Sequence, residues 1–311
     1  MARALRFSTQ LGGPPPGGDW LTRVRDLEAM GYGTLLMPDH VVGGAWAPLV
    51  ALAGASVATT TARLGTLVID NDFRNPLLLA REVATLDVLS NGRFELGIGA
   101  GWWIRDNESL GVPYDRGRVR VERLAEAVPL LKRFFTEDEV THHGRFYRHE
   151  RAQCRPHPIQ RPHPPFLIAG GGPQLLALAG READIVAILG LFDREGRLRD
   201  PREATIDAAR EKIRWVREAA GERFERIELS MFQDVVLTDD PERKIDELAR
   251  ERGVPREQIA ASIYRPIGTV DQVRAHIVRL ATELRVSYFT LRGPHVDELA
   301  PLARELTGRS L

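Results

Sequence analysis

The chain has 311 residues, of which 43% are hydrophobic and 28% are charged, and its formal net charge is zero. These proportions exclude an intrinsically disordered chain and leave enough apolar residues for a large core. Because no basic block interrupts the chain, the charge pattern argues against a nucleic-acid partner.

Short apolar segments alternate with amphipathic ones along the chain, which predicts eight β-strands separated by helices. The predicted strands cover residues 3–8, 33–37, 64–69, 93–98, 166–169, 183–188, 226–234 and 286–291. The predicted helices cover residues 19–30, 48–59, 76–89, 117–135, 173–181, 201–220, 240–252, 269–284 and 295–307. Strands that alternate with helices are expected to pair in parallel.

The number of strands favours a closed (β/α)8 TIM barrel that forms a single domain over residues 1–311. An open doubly wound sheet would give the same alternation, but no Pro/Ser-rich linker divides the chain into halves. Three segments do not fit the plain repeat: 103–117 after strand 4, 138–165 before strand 5, and 253–268 before strand 8. Insertions at the carboxyl face of a barrel commonly determine substrate selectivity.

A glycine-rich segment ends the fourth predicted strand, where Gly97, Gly99 and Gly101 alternate with other residues and Trp102 follows. Glycine lets other groups approach the backbone closely. The segment therefore predicts either tight packing or a surface against which a flat ligand lies.

A second glycine-rich segment joins the fifth strand to the next helix. It consists of Ala169, Gly170, Gly171, Gly172 and Pro173. Unhindered amides at the start of a helix bind phosphate readily, because the positive end of the helix dipole lies there. The segment predicts an anion site, and a tight turn is the alternative.

Asp39 and His40 close the second strand, which places them at the carboxyl rim of the barrel. Histidine exchanges protons near neutral pH, and an adjacent carboxylate can fix its tautomer. The alternative is an ordinary turn residue beside a surface imidazole.

Histidines and the one cysteine crowd a short segment, which raises the question of a metal site. They are His142, His143, His149, Cys154, His157 and His163. We expect no metal, because zinc sites need ligand pairs on rigid structure, whereas prolines at positions 156, 158, 162, 164 and 165 break the end of this segment. A single cysteine also excludes an internal disulfide, and no apolar run of signal-peptide or membrane length occurs, so a cytoplasmic protein is expected.

These motifs together resemble the bacterial luciferase-like family of flavin and deazaflavin oxidoreductases. The resemblance is carried by Pro38-Asp39-His40, Leu64-Gly65-Thr66, the glycine-rich strand end at 92–102, the triple glycine at 170–172, and Ile267-Gly268-Thr269. It implies a luciferase-like TIM barrel that moves a hydride between C5 of the deazaflavin coenzyme F420 and an unidentified small molecule. It also implies a homodimer formed through barrel helices.

The resemblance assigns roles to particular residues. Asp39 and His40 are expected to be catalytic, beside the reactive face of the cofactor ring. Leu67-Val68 is expected to form a non-prolyl cis peptide that supports the ring from behind. The cofactor is expected to contact the first glycine-rich segment at Ala100, Gly101 and Trp102. Its phosphate is expected to contact the second glycine-rich segment.

The chain departs from the sugar-phosphate dehydrogenases of this family at Trp102, where those enzymes have an acidic glutamate. Because an indole cannot deliver a proton in the same way, glucose 6-phosphate oxidation by that mechanism is not expected. An FMN-dependent monooxygenase is the alternative function. A barrel that binds the cofactor without catalysis is a second alternative.

Overall fold

A computed structural model describes residues 3–195 and 197–311. Its strands are β1 (Arg6–Gln10), β2 (Thr34–Met37), β3 (Arg63–Thr66), β4 (Ile69–Asp70), β5 (Phe94–Gly99), β6 (Val140–His143), β7 (Arg148–Ala152), β8 (Phe166–Gly170), β9 (Ile185–Ile188), β10 (Glu228–Asp234), β11 (Val236–Leu237), β12 (Ile267–Gly268) and β13 (Val286–Arg292). Its α-helices are α1 (Trp20–Ala29), α2 (Pro48–Ala58), α3 (Pro76–Leu89), α4 (Ile104–Leu110), α5 (Gly117–Thr136), α6 (Pro173–Glu182), α7 (Ile206–Ala220), α8 (Pro241–Arg252), α9 (Arg256–Ala260), α10 (Val270–Leu284) and α11 (Val296–Leu306).

The barrel is closed by parallel pairing in the order β1, β2, β3, β5, β8, β9, β10, β13 and back to β1. Strand β4 prolongs the third position and pairs with β5. The predicted eight-stranded (β/α)8 barrel is therefore confirmed, with all strand carboxyl ends at one face.

Side chains at the starts of several helices explain where those helices begin. Asp19 accepts a hydrogen bond from the Thr22 amide at the start of α1, and Asn75 does the same for Leu77 at the start of α3. Thr269 begins α10 with a reciprocal capping box. Such caps satisfy amides that have no partner inside the helix.

The predicted elements differ from the observed ones in two regions. The predicted third strand is interrupted at residues 67–68, between β3 and β4. The predicted helix 201–220 begins instead as a short 3-10 helix, Pro201–Ala204, before α7.

The segments outside the plain repeat hold short elements of their own. Segment 103–117 contains α4, and segment 138–165 contains the antiparallel hairpin of β6 and β7. Segment 253–268 contains α9 and β12, and β12 pairs with β11 beyond the end of β10.

A charged layer fills the barrel interior at the amino ends of the strands. Glu95 is buried and accepts hydrogen bonds from Arg6 at 2.7 Å and from Arg63 at 2.5 Å. Burial acts to raise the pKa of Glu95, but the two guanidinium groups hold that pKa below its usual value. These three charged groups are paired with one another, as expected for the face of a barrel that serves stability.

Candidate functional site

The third barrel strand bends out of register at Leu67 and Val68. The peptide bond between them is cis, as the resemblance implies. The Leu67 carbonyl accepts a hydrogen bond of 2.5 Å from the Gln10 side-chain amide, and the Leu67 amide donates to the Met37 carbonyl at 2.9 Å. Both side chains are half-buried against the apolar cluster inside the barrel. They form an apolar floor at its carboxyl end.

Two glycines of β5 are required by this bend rather than by a ligand. A Cβ on Gly97 would overlap the Thr66 carbonyl, and one on Gly99 would lie 2.7 Å from Val68 Cγ2. Such distances do not occur between real side chains and a fixed backbone. Tight packing therefore accounts for these two positions.

The loop after β5 is held in place by a buried arginine on α5. Arg120 donates to the Ala100 carbonyl at 2.9 Å and to the Gly101 carbonyl at 3.1 Å. Gly101 has φ of +65°, which favours glycine, and its Cα lies against the Asp70 carboxyl. The Trp102 carbonyl accepts a 2.7 Å hydrogen bond from the Tyr114 hydroxyl. The backbone of this loop is thus fixed at the rim of the barrel.

His40 is oriented by Asp106, a residue that the sequence reasoning missed. His40 Nδ1 lies 2.7 Å from Asp106 Oδ2, and Asp106 Oδ1 accepts the amides of Val41 at 2.8 Å and Val42 at 2.9 Å. Asp106 is buried, whereas the His40 side chain is 31% exposed. A carboxylate at Nδ1 favours the tautomer with its proton on that nitrogen, which leaves Nε2 to accept a proton.

The expectation that the adjacent Asp39 fixes the His40 tautomer is wrong. Asp39 is buried and forms a two-pronged ion pair with Arg74, whose Nη2 lies 3.0 Å from Asp39 Oδ1. Asp39 also accepts the Asp70 amide at 3.1 Å. Neighbouring residues after a strand point in different directions, so Asp39 holds the loop after β4 while His40 faces the rim.

Asp70, at the end of β4, has an unusual protonation equilibrium. Burial raises the pKa of its carboxyl to about 7, and the nearby Asp72 and Asp39 carboxylates act in the same direction. Arg74 is paired with Asp39, and Arg123 is paired with Asp72. Asp70 therefore adds a group to the barrel mouth that titrates near neutral pH.

Two indoles lie against the His40 imidazole, and we call Trp102, Trp103 and the neighbouring Phe192 the aromatic rim. The Trp102 and Trp103 rings stack with centroids 5.7 Å apart, and Phe192 lies 6.0 Å from Trp102. The His40 ring meets both indoles edge-on at 5.5 Å. The loop after β9, which carries Phe192, thus reaches the loop after β5 above the barrel mouth.

The triple glycine lies between β8 and α6, and each glycine has a different surrounding. A Cβ on Gly170 would overlap Leu175, and one on Gly171 would lie 2.5 Å from the Gly190 carbonyl. A Cβ on Gly172 would make only an ordinary contact with Leu191 at 3.6 Å. Within the described part of the chain, no side chain caps α6, so its first amides remain available to an anion.

The two glycine-rich segments lie at the same end of the barrel on neighbouring strands. Strands β5 and β8 pair in parallel, with Ile98 beside Ile168. Ala100, Gly101 and Trp102 therefore stand next to Ala169, Gly170, Gly171, Gly172 and Pro173. One slot can be bounded by both segments and by the Leu67-Val68 floor.

The comparisons with known proteins agree with this geometry. The model of the family described as luciferase-like monooxygenase matches residues 5–263. The chain belongs to this family. A solved F420-dependent secondary alcohol dehydrogenase, in complex with an F420-acetone adduct, superposes with a TM-score of 0.80 at 18% identity over 98% of both chains. At that identity the likeness is one of fold.

Two relatives of this luciferase-like protein use different cofactors, according to their names. An F420-dependent glucose-6-phosphate dehydrogenase of Kineococcus radiotolerans is 31% identical over 257 residues, which are 81% of this chain and 70% of that protein. An FMNH2-dependent dimethylsulfone monooxygenase of Pseudomonas putida is 32% identical over 110 residues, which are 35% of this chain and 30% of that protein.

Other polar residues of this luciferase-like site were also missed from the sequence. Arg292 ends β13 and donates to Gln10 at 2.9 Å and to Asp234 at 2.8 Å, and Gln10 in turn holds the Leu67 carbonyl. Their positions could have indicated them, because they are polar residues at the carboxyl ends of barrel strands, and such residues face the active site. Asp106 offers no comparable signal, since it lies in a segment outside the repeat.

Proposed function

We propose that this protein is an F420-dependent oxidoreductase that transfers a hydride between the deazaflavin and a small organic substrate. The observation that carries the proposal is the His40–Asp106 pair beside the Leu67-Val68 floor, at the barrel end where both glycine-rich segments meet. The F420-dependent relative over most of the chain supports the deazaflavin.

The residues at this end fit a flat cofactor with a phosphate-bearing tail. Leu67 and Val68 offer a half-buried apolar floor to a ring system, and the backbone of Ala100, Gly101 and Trp102 offers a fixed side wall. Gly172 and Pro173 begin a helix whose first amides carry no side-chain cap, which suits a phosphate. Ala169, Gly170 and Gly171 hold that helix start against the rim.

When bound, the deazaflavin supplies the hydride acceptor or donor at its C5. His40 accepts the proton of a substrate hydroxyl at Nε2 as the hydride leaves, and returns it in the reverse direction. Asp106 keeps the Nδ1 proton in place and stabilises the charged imidazole that forms. Asp39 has no direct proton-transfer role in this proposal, because its carboxylate is paired with Arg74.

The proposed substrate is not a sugar phosphate that is oxidised by the mechanism of the sugar-phosphate dehydrogenases, because that mechanism needs an acidic glutamate. Trp102 stands at the position where the resemblance to the sugar-phosphate dehydrogenases would require that glutamate. An indole offers contact area and a face for stacking, but no proton of useful acidity.

Titration of the purified protein with F420 and, separately, with FMN tests the cofactor. We expect tight F420 binding, observed as quenching of its fluorescence, and weak FMN binding. Tight FMN binding without F420 binding would instead support the monooxygenase function of the FMNH2-dependent relative.

Turnover tests the catalytic role. The visible absorbance of oxidised F420 is followed with a panel of small alcohols. We expect His40→Ala to bind F420 as the wild type does and to lose turnover by a factor of roughly 100 or more. Wild-type protein that binds F420 but reacts with no member of the panel would favour a barrel that binds without catalysis.

We further propose a homodimer and a cytoplasmic location. Val50 and Val57 on α2 are 75% and 73% exposed, and α2 contains no charged residue, which is a suitable surface for a second copy. The single, buried Cys154 suits a reducing compartment. Within the described residues, no helix is long and apolar enough to span a membrane.

A further inference from the structure

The barrel mouth exposes large apolar side chains in the two loops that frame His40. Val41 is 47% exposed and Trp46 is 46% exposed in the loop after β2. Trp102 and Leu110, in the loop and helix after β5, are 39% and 43% exposed. Apolar surface concentrated at one place on a protein commonly marks a binding site.

The aromatic rim within this surface is already ordered. The Trp102 and Trp103 rings are inclined by only 16°, and the carbonyl of Trp102 is fixed by Tyr114. Arg105 lies over the Trp103 ring at 5.6 Å, on the same short helix that carries Asp106. Rigid aromatic side chains give contact area at little cost in conformational entropy.

The position of the rim relative to His40 limits what a substrate can be. The imidazole stands nearly perpendicular to both indoles, at 80° to Trp102 and 84° to Trp103. Because His40 Nδ1 is held by Asp106, a reacting group is left with Nε2, on an imidazole whose centroid lies 5.5 Å from both indoles. A small hydrophilic substrate would leave the exposed part of Trp102 in contact with water.

We propose that the substrate carries a planar aromatic or conjugated ring system, bound by stacking against Trp102 and edge contact with Phe192, with a reacting carbinol or carbonyl group attached to that ring system at His40 Nε2; the carbinol C–H bond supplies the hydride and the hydroxyl proton goes to Nε2. The inference rests on the proposed function and specifies the substrate class of the same site. Burial of apolar area favours any apolar substrate, whereas ring stacking adds a preference for a flat one. Trp102 is thereby a specificity-determining residue, and its backbone remains part of the cofactor wall.

Binding of two matched alcohols to the full-length protein without cofactor tests this class. The probes are 2-naphthalenemethanol, whose ring system is planar and aromatic, and decahydronaphthalene-2-methanol, which has the same carbon skeleton and the same primary alcohol but is saturated. Binding is followed by calorimetry. We expect 2-naphthalenemethanol to bind at least about tenfold more tightly than its saturated analogue.

Variants of the rim separate stacking from general hydrophobic binding. Trp102→Leu should remove most of the preference for 2-naphthalenemethanol, and Trp102→Phe should retain much of it. Ile159→Ala is the control, because it shortens a side chain that is 48% exposed but lies before β8 at the opposite end of the barrel. The control should leave both dissociation constants unchanged.

Two results would overturn the inference. One is equal binding of the two alcohols to the wild type. The other is an unchanged preference in Trp102→Leu, with the thermal unfolding midpoint of that variant confirming that it is folded. Failure of the proposed function is seen separately, as absence of F420 quenching in the wild type, because neither alcohol titration contains the cofactor.

Discussion

His40 shows that the chemistry of a residue depends on a partner far away in sequence. The carboxylate beside its Nδ1 belongs to Asp106, 66 positions later, and not to the adjacent Asp39. Asp106 in turn is fixed by the amides that directly follow His40. The loops after β2 and β5 therefore form one hydrogen-bonded unit at the barrel mouth.

Replacement of Asp106 by Asn tests whether this unit sets the tautomer. The Asn oxygen still accepts the Val41 and Val42 amides, but the amide nitrogen now faces His40 Nδ1. The proton is then expected on Nε2, and turnover should fall by a factor of about 100 to 10,000 while the F420 dissociation constant stays within about twofold. Glu108→Gln, an exposed neighbour on α4, should leave both quantities unchanged.

Asp70 makes stability depend on pH in a defined direction. Its carboxyl has a pKa near 7 in the folded chain, mainly because it is buried, against an ordinary value of 3.8. Below about pH 4 it is neutral in both states, so it has no effect on stability. Between pH 4 and 7 only the unfolded chain loses this proton, so the free energy of unfolding falls as pH rises, and the full cost is present above about pH 7.

Asp70→Asn removes this cost and keeps an acceptor for the Asp72 amide. At pH 8 the variant should be more stable than the wild type by on the order of 2 kcal/mol, about half of what the shift alone would give, because part of the carboxyl is open to water. At pH 4 the two proteins should be equally stable. Urea unfolding at both pH values measures the difference, and a difference independent of pH would contradict the assignment.

At the scale of elements, the turn from β8 to α6 combines a structural and a ligand-binding requirement. Gly171 lies against the backbone of the loop after β9, with the Gly190 carbonyl 2.5 Å from a Cβ placed there. Gly172 has φ of −94° and ψ of 151°, which any residue adopts, and a Cβ there would make only an ordinary contact with Leu191. The two neighbours therefore form a matched pair for mutation.

Gly171→Ala should lower the free energy of unfolding by about 1 to 3 kcal/mol, because two backbone segments must separate to admit the methyl group. Gly172→Ala should change stability by less than about 0.5 kcal/mol. Thermal unfolding of both variants measures this difference. If the first amides of α6 bind the cofactor phosphate, the methyl group of Gly172→Ala should also weaken F420 binding, and equal destabilisation by the two variants would contradict the packing argument.

The sequence pattern predicted the repeating elements well and the irregular ones poorly, for a physical reason. Alternation of apolar residues reports which faces of an element are buried, so the eight barrel strands and the helices between them could be recognised. The interruption of the third strand at Leu67-Val68 leaves that alternation unchanged, and only the family resemblance indicated it. The Asp106 and Arg74 partners depend on loop conformations, which local patterns do not specify.

At the scale of the whole molecule, most of the large exposed apolar side chains in the described part of the chain lie on two surfaces. One is the barrel mouth around His40. The other is formed by α2 and α3, which pack side by side, and its members are Val50, Val57, Leu78, Val88 and Leu89. The barrel closes its own strand edges, so the α2 and α3 surface is not needed to complete the fold.

The dimer proposal assigns this second surface to another copy of the chain. Val50 and Val57 are seven residues apart and so lie on one face of α2, where burial against a two-fold partner would remove both from water.

The double substitution Val50→Glu and Val57→Glu would place four carboxylates in such an interface, at a cost on the order of several kcal/mol. Light scattering should therefore give the dimer mass for the wild type and the monomer mass for the double variant. Leu311→Glu, which adds one carboxylate at an exposed position beside Phe224 and Arg285 and away from α2 and α3, should remain a dimer, because the interface and not the surface charge determines the assembly. A wild-type monomer, or a double variant that keeps the dimer mass, would contradict the assignment of the apolar face of α2 to a second copy of the chain.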